Sequence, residues 1–240
     1  MYRLSINFLY SKKNTLGNFG NEKSFLSFAP DMELKTRIKQ KAQDLFRRYG
    51  IKSVTMDEIA AQVGMSKKTI YHCFSDKNEL VDEVVDDMLA ENKNFCISSR
   101  KQAANAIDEV FLGMESLQEM LGNMNPSILY DIERGHPQTF KKFLEYKYNF
   151  LSDLMRKNIV QGKEEGLYRE EVNAEFVSKV RLEMIMLAFN EEIFPKSKYP
   201  LVYIQHELME YFLYAIVTPK GYKMISKYLK SKSDQNALEK

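Results

Sequence analysis

From Glu33 to Leu80 the chain sets four helix starts into a stretch that holds two glycines and no proline, and this punctuation predicts a cluster of helices, two of them short. Ile38, Ala42, Leu45, Phe46 and Tyr49 recur at helical spacing and predict one buried face, which Gly50 ends. Thr55-Met-Asp-Glu58 has the pattern of a capping box, in which the Thr hydroxyl accepts from a first-turn N–H while the Glu carboxylate reaches back. Ile59, Ala60 and Val63 then share a face of a second helix, stopped by Gly64. Ser66 is placed to cap a third helix through Phe74, with Ile70 and Phe74 facing inward. Asp76-Lys-Asn-Glu79 repeats the box ahead of a long helix with Leu80, Val84, Met88 and Phe95 along its inner side.

A helix, a glycine-containing turn and a short second helix with a polar outer face describe a helix-turn-helix, whose second helix enters the DNA major groove. With Ile70 and Phe74 buried, Ser66, Lys67, Lys68, Thr69, Tyr71 and His72 are left outward. Lysines and hydroxyls there can meet phosphates or base edges, and Tyr71 can press on a sugar or a thymine methyl. Thr55 and Lys77 stand at helix starts, which favour anions. Taken alone, the hydroxyls fit simple capping equally well, and Lys67 and Lys68 fit a solvated surface. The charge distribution adds weight: residues 1–30 carry net +3, residues 31–77 net +4 and residues 78–240 net −5, so the overall +2 averages a basic head and a mildly acidic body.

The ordered pattern Thr55-x3-Ile59-Ala60-x2-Val63-Gly64-Met65-Ser66-x2-Thr69-Ile70-Tyr71-x2-Phe74-x2-Lys77-x2-Leu80 closely resembles the DNA-binding signature of TetR-family (tetracycline-repressor-like) transcriptional regulators. The resemblance covers residues 33–80; Lys68 stands where many members carry Gly, and Cys73 where an aromatic residue is frequent. It implies an all-α protein with an N-terminal helix-turn-helix domain and a larger helical domain for ligand binding and dimerisation. It further implies a homodimer on a palindromic double-stranded DNA operator, released by a small molecule, most often as a repressor. Carried over by position, Thr55, Ser66, Lys67, Thr69, Tyr71, His72 and Lys77 are the expected DNA-binding residues, with Lys68 added on charge grounds.

Beyond the head no strand-like alternation persists, and helices are predicted near 101–121, 126–134, 138–165, 173–193, 201–217 and 220–230, with Gly or Pro marking the junctions from Gly122 onwards. The expected division is 1–31 as a loose extension, 32–80 as the DNA-binding domain, 81–230 as the effector and dimerisation domain, and 231–240 as a solvated tail. Met32 is expected as the true start, or residues 1–31 as a dispensable arm. The body is rich in Met and aromatic residues, most of which must be core. Phe111, Met114, Tyr130, Phe150 and Met155 are the expected cavity lining, which suggests an apolar or aromatic effector. The helices at 173–194 and 201–217 carry more apolar width than one core stripe needs, as a dimer face would.

Several classes fall away. No apolar run approaches the roughly 18–20 residues of a membrane span. Ile6 to Tyr10 is too short and too polar at its flanks for a signal peptide, and two cysteines, Cys73 and Cys96, build no disulfide framework, so a cytoplasmic protein is expected. His136 in Gly-His-Pro reads as a turn residue, and neither it nor His206 has a partner at metal spacing. No nucleophile motif, phosphate-cradling loop or paired catalytic carboxylates can be assembled, so neither an enzyme nor a cofactor is expected. The alternative reading is a helical small-molecule binder or scaffold whose head no longer reads DNA.

Overall fold

The computed structural model describes the backbone of residues 25–238 and the side chains of residues 32–230. The described chain is helical throughout: α1 (Phe25–Tyr49), α2 (Met56–Val63), α3 (Lys67–Cys73), α4 (Lys77–Gln102), α5 (Ala106–Leu121), α6 (Ser127–Gly135), α7 (Pro137–Glu145), α8 (Ser152–Glu164), α9 (Ala174–Leu187), α10 (Leu201–Ile216) and α11 (Pro219–Leu238). A π-helical segment, Tyr146–Leu151, joins α7 to α8, so the long helix expected over 138–165 is interrupted. None of the described helices is long and apolar enough to cross a membrane.

The head is held by one apolar cluster. Ile38, Ala42 and Phe46 of α1 meet Ile59 and Ala60 of α2, Ile70 and Phe74 at α3, and Leu80, Val81, Val84 and Val85 of α4, all buried. Tyr49, expected on the same face, is instead 57% exposed, because α1 ends there and Gly50 turns the chain before it can reach the cluster. The cluster does not stop at Leu80: Leu121, Met124, Ile128 and Ile132 belong to it, so α6 and the end of α5 pack on the head. Polar ties follow the same route. Arg47 donates to the carbonyl of Met120, the N–H of Asn125 donates to the Arg47 carbonyl at 2.6 Å, and the N–H of Lys52 donates to Asp131 at 2.9 Å.

A second cluster lies deeper in the body, around Ile107, Phe111, Ile159, Leu167, Tyr168, Met209, Leu213 and Ile225. Tyr168 is fully buried and its hydroxyl donates towards Asn158 Oδ1 at 3.2 Å and the Ala106 carbonyl at 3.3 Å. Its ring lies against Gly162, where a Cβ would stand 2.1 Å from a ring carbon, so only glycine fits α8 at that point.

Several boundaries differ from expectation, among them the start of α5 at Ala106 rather than near 101. α1 begins at Phe25 rather than Glu33, taking in residues expected to be loose. Residues 1–24 of the expected extension lie outside the described residues. α11 runs to Leu238, past the expected tail boundary, since after Gly221 no glycine or proline interrupts it. α9 stops at Leu187 instead of near 193: Asn190 Oδ1 accepts from the N–H groups of Glu192 and Ile193, a local turn that competes with the helix.

Candidate nucleic-acid interface and the adjoining cavity

The turn between α2 and α3 is built by short-range chemistry. Thr55 Oγ1 accepts from the Glu58 N–H at 3.2 Å, while the Glu58 carboxylate accepts from the Thr55 N–H at 2.7 Å and its hydroxyl at 2.9 Å, which closes the capping box. These hydrogen bonds hold the Glu58 carboxyl below its ordinary pKa. Gly64 takes φ +75°, the left-handed conformation that ends α2, and the Met65 N–H donates to the Ala60 carbonyl at 2.9 Å. Ser66 Oγ accepts from the Thr69 N–H at 3.1 Å and lies 2.8 Å from Thr69 Oγ1. The second capping box is relayed: Asp76 caps the Glu79 N–H at 2.9 Å, but the Glu79 carboxylate accepts from Ser75 and not from Asp76.

The eight expected DNA-binding residues therefore divide by what else they do. Lys68, Tyr71 and His72 stand exposed on α3, with Ile70, Cys73 and Phe74 buried behind them. Thr55, Ser66 and Thr69 use their hydroxyls in the caps. Lys67 pairs with Asp57 of α2 at 2.7 Å, and both side chains are more than half exposed, so the pair orients α3 without adding much stability. This pairing raises the Lys67 pKa above its ordinary value. The Lys77 ammonium also serves the fold: it donates to the Ile51 carbonyl at 2.6 Å, and burial lowers its pKa although Asp131 and Glu58 lie nearby. It ties the start of α4 to the loop after α1.

Behind the head lies an apolar cavity of about 280 Å³, enclosed by α4 to α6, α8, α9 and the segment joining α7 to α8, with Phe212 of α10. Of the five expected lining residues it takes Met114 and Met155 and leaves three out. Phe111 is buried elsewhere, stacked on Tyr228 at 5.0 Å. Tyr130 is 58% exposed beneath the Arg134 guanidinium, because α6 turns Ile128 and Ile132 inward. Phe150 stacks on Tyr146 at 5.3 Å and carries the Lys93 ammonium over its ring, after the π-helical segment shifts its register. The wall that sequence reasoning missed is largely α4: Met88, Leu89, Asn92, Phe95, Cys96 and Ser99. Their helical spacing past Val84 was the available signal. Burial pushes the Cys96 thiol up to about 11, so it behaves as a neutral wall atom and not as a nucleophile.

His136 is a turn residue, as expected, at the junction of α6 and α7; burial lowers its pKa, and its Nδ1 has no hydrogen-bond partner among the described residues. His206 Nδ1 lies 3.2 Å from the Glu210 carboxylate.

Residues 38–84 match the family of bacterial regulatory proteins of tetR type. Over 101 residues the chain is 30% identical to YvaF of Bacillus subtilis strain 168, an uncharacterized HTH-type transcriptional regulator; the match covers 42% of this chain and 53% of that one. This chain thus spans about half the length of that curated relative. A TetR-family transcriptional regulator from Agrobacterium tumefaciens has the same fold, with a TM-score of 0.65 at 17% identity over 78% of this chain and all of that one. The SmeT–triclosan complex superposes with a TM-score of 0.59 at 13% identity over 78% of this chain and 93% of that one.

Proposed function

We propose that the chain is a transcriptional regulator of the TetR family, a ligand-responsive repressor that binds a palindromic operator as a homodimer and is released by a small molecule in the cavity. The observation that carries this reading is a shared set of side chains. Val85, Leu121, Met124, Ile128 and Ile132 are part of the core that holds α1 to α4 and also line the cavity. An occupant that moves these side chains moves the packing under α3, because a close-packed interior transmits displacement. The SmeT relative binds triclosan, which supports a small-molecule role for the corresponding region here.

Dimerisation rests on a band of exposed apolar residues. Phe176 (65%), Val180 and Leu187 on α9, with Tyr203 and Tyr211 on α10, are uncovered in the single chain. A twofold pairing of these helices would bury them and set two copies of α3 towards successive major grooves.

Selection of genomic fragments by the 240-residue protein at about 150 mM salt tests the reading, since non-specific phosphate attraction is suppressed there. The expected result is a palindrome with half-sites about one helical turn apart, bound about 1–3 kcal/mol more weakly by Tyr71→Ala. Failure to enrich any sequence, or a light-scattering mass of one chain, would overturn it.

The lysines should separate by role. Lys68→Ala is expected to lower the slope of log affinity against log salt by about one unit, as a lost phosphate contact does. Lys77→Ala is expected to leave that slope unchanged and to reduce stability by about 1 kcal/mol, because its ammonium serves the Ile51 carbonyl. Titrations of both variants on the selected operator at several salt concentrations, with urea unfolding beside them, check the division.

A further inference from the structure

Arg181 of α9 lines the cavity and is only 5% exposed, with its guanidinium 5.5 Å from the centroid of the Phe212 ring. Its Nη1 has no hydrogen-bond partner among the described residues. Glu109, Asn92 and Cys96 in the same wall have partners within the protein. Glu109 accepts from Arg100 at 3.0 Å and from Asn158 at 2.9 Å, Asn92 accepts from the Tyr146 hydroxyl, and the Cys96 thiol donates to Asn92. Glu109 in the wall is therefore neutralised by Arg100 behind it, and Arg181 has no carboxylate partner among the described residues. Burial pushes the Arg181 pKa down to about 10, which still leaves the guanidinium charged at neutral pH.

We infer that the cavity takes an amphipathic carboxylate, with its anionic head on Arg181 and its apolar body along the Met and Leu wall formed by α4 and α5. The inference rests on the reading of this cavity as the effector site. A buried cation without a partner is costly, and a carboxylate matches the planar fork of a guanidinium through two parallel hydrogen bonds. A cationic head would meet repulsion, and an uncharged head would leave the charge unpaired. A phosphate monoester brings close to two negative charges at neutral pH against a single available cation. The volume of about 280 Å³ equals roughly nine waters, which suits a ligand of about ten non-hydrogen atoms.

The test is calorimetric titration of the full chain, without DNA, with octanoate, 1-octanol and octylammonium, and with 2-naphthoate and 2-naphthol as a rigid pair. At least one carboxylate is expected to bind about tenfold or more tightly than its matched alcohol, with octylammonium weaker still. In Arg181→Met that preference should disappear while alcohol binding stays within about twofold, and the unliganded Tm should not fall, since an unpaired buried charge has been removed. Arg181→Gln must lose the preference as well, which keeps the test decisive if Arg181→Met does not fold. Equal binding of acid and alcohol, a preference that survives in the variants, or no binding of either carboxylate overturns the inference. Release of the selected operator is measured separately. Carboxylates that bind without releasing DNA leave the ligand class standing and remove the effector role; alcohols that bind equally and release DNA do the reverse.

Discussion

Replacing Phe74 by alanine is expected to destabilise the protein by about 3–5 kcal/mol and to lower its Tm by about 10 °C. Phe74 is fully buried at the junction of α3 and α4, where its N–H donates to the Ile70 carbonyl at 2.9 Å and closes α3. Its ring lies in the cluster that joins α1, α2 and α4, with the Lys35 ammonium 5.1 Å from the ring centroid. Removing it opens a void where four helices meet, and those helices relax only in part. Because the ring sits directly behind Lys68, Tyr71 and His72, operator affinity should fall at temperatures where the variant is still folded. Phe74→Leu keeps most of the volume and should cost under about 1.5 kcal/mol. Urea unfolding of both variants settles the matter; a loss below about 1 kcal/mol for the alanine would mean that α3 is not held by this core.

Glu109→Ala should be the next most damaging change, at about 2–4 kcal/mol. The Glu109 carboxylate is buried and joins three helices, accepting from Arg100 of α4 at 3.0 and 3.1 Å and from Asn158 of α8 at 2.9 Å. Truncation leaves the Arg100 charge without its carboxylate and one Asn158 donor facing the apolar cavity. The Arg100 side chain is about a third exposed, so water recovers part of the loss and the expected cost is set below that of a fully buried pair. The sharper expectation concerns the double variant Arg100→Met with Glu109→Met. Replacing both charges by apolar groups of similar length should restore most of the stability that the single alanine loses. Thermal unfolding of the two variants beside the unaltered chain distinguishes a damaging unpaired charge from a pair that is itself strongly stabilising, in which case the double variant would stay as unstable as the single one.

Most of the head was legible in the sequence because its ends are set by residues a few positions apart. The Thr55–Glu58 box, the Ser66 cap and the Gly64 turn depend on contacts within five residues, and each forms as their spacing predicts. The burial of Ile70 and Phe74 followed from period alone. Lys77 escaped such reasoning for the opposite reason: it stands at a helix start, as an anion-binding lysine would, but the Ile51 carbonyl that claims its ammonium lies 26 residues away in the chain.

The cavity was legible only as a tendency. Met and aromatic residues at helical spacing say that a helix has an apolar face, not which neighbour that face meets. Phe111 and Phe150 satisfy the same pattern as Met114 and Met155, yet one packs beneath α11 and the other follows a π-helical shift of register, which no spacing rule announces. Arg181 carried a faint signal as the one cation among Val180 to Phe189, but a single arginine on a helix is ordinarily solvated.

By itself, then, the sequence determined the all-helical class, the four-helix head and the outward face of α3, since caps, turns and periodicity act over a few residues. Only the tertiary structure decided that the core of the head runs on into the cavity wall, that Lys77 is a brace and that Arg181 is buried with its Nη1 unpartnered. Those outcomes depend on which helices pack together, and packing joins residues whose separation along the chain carries no local mark.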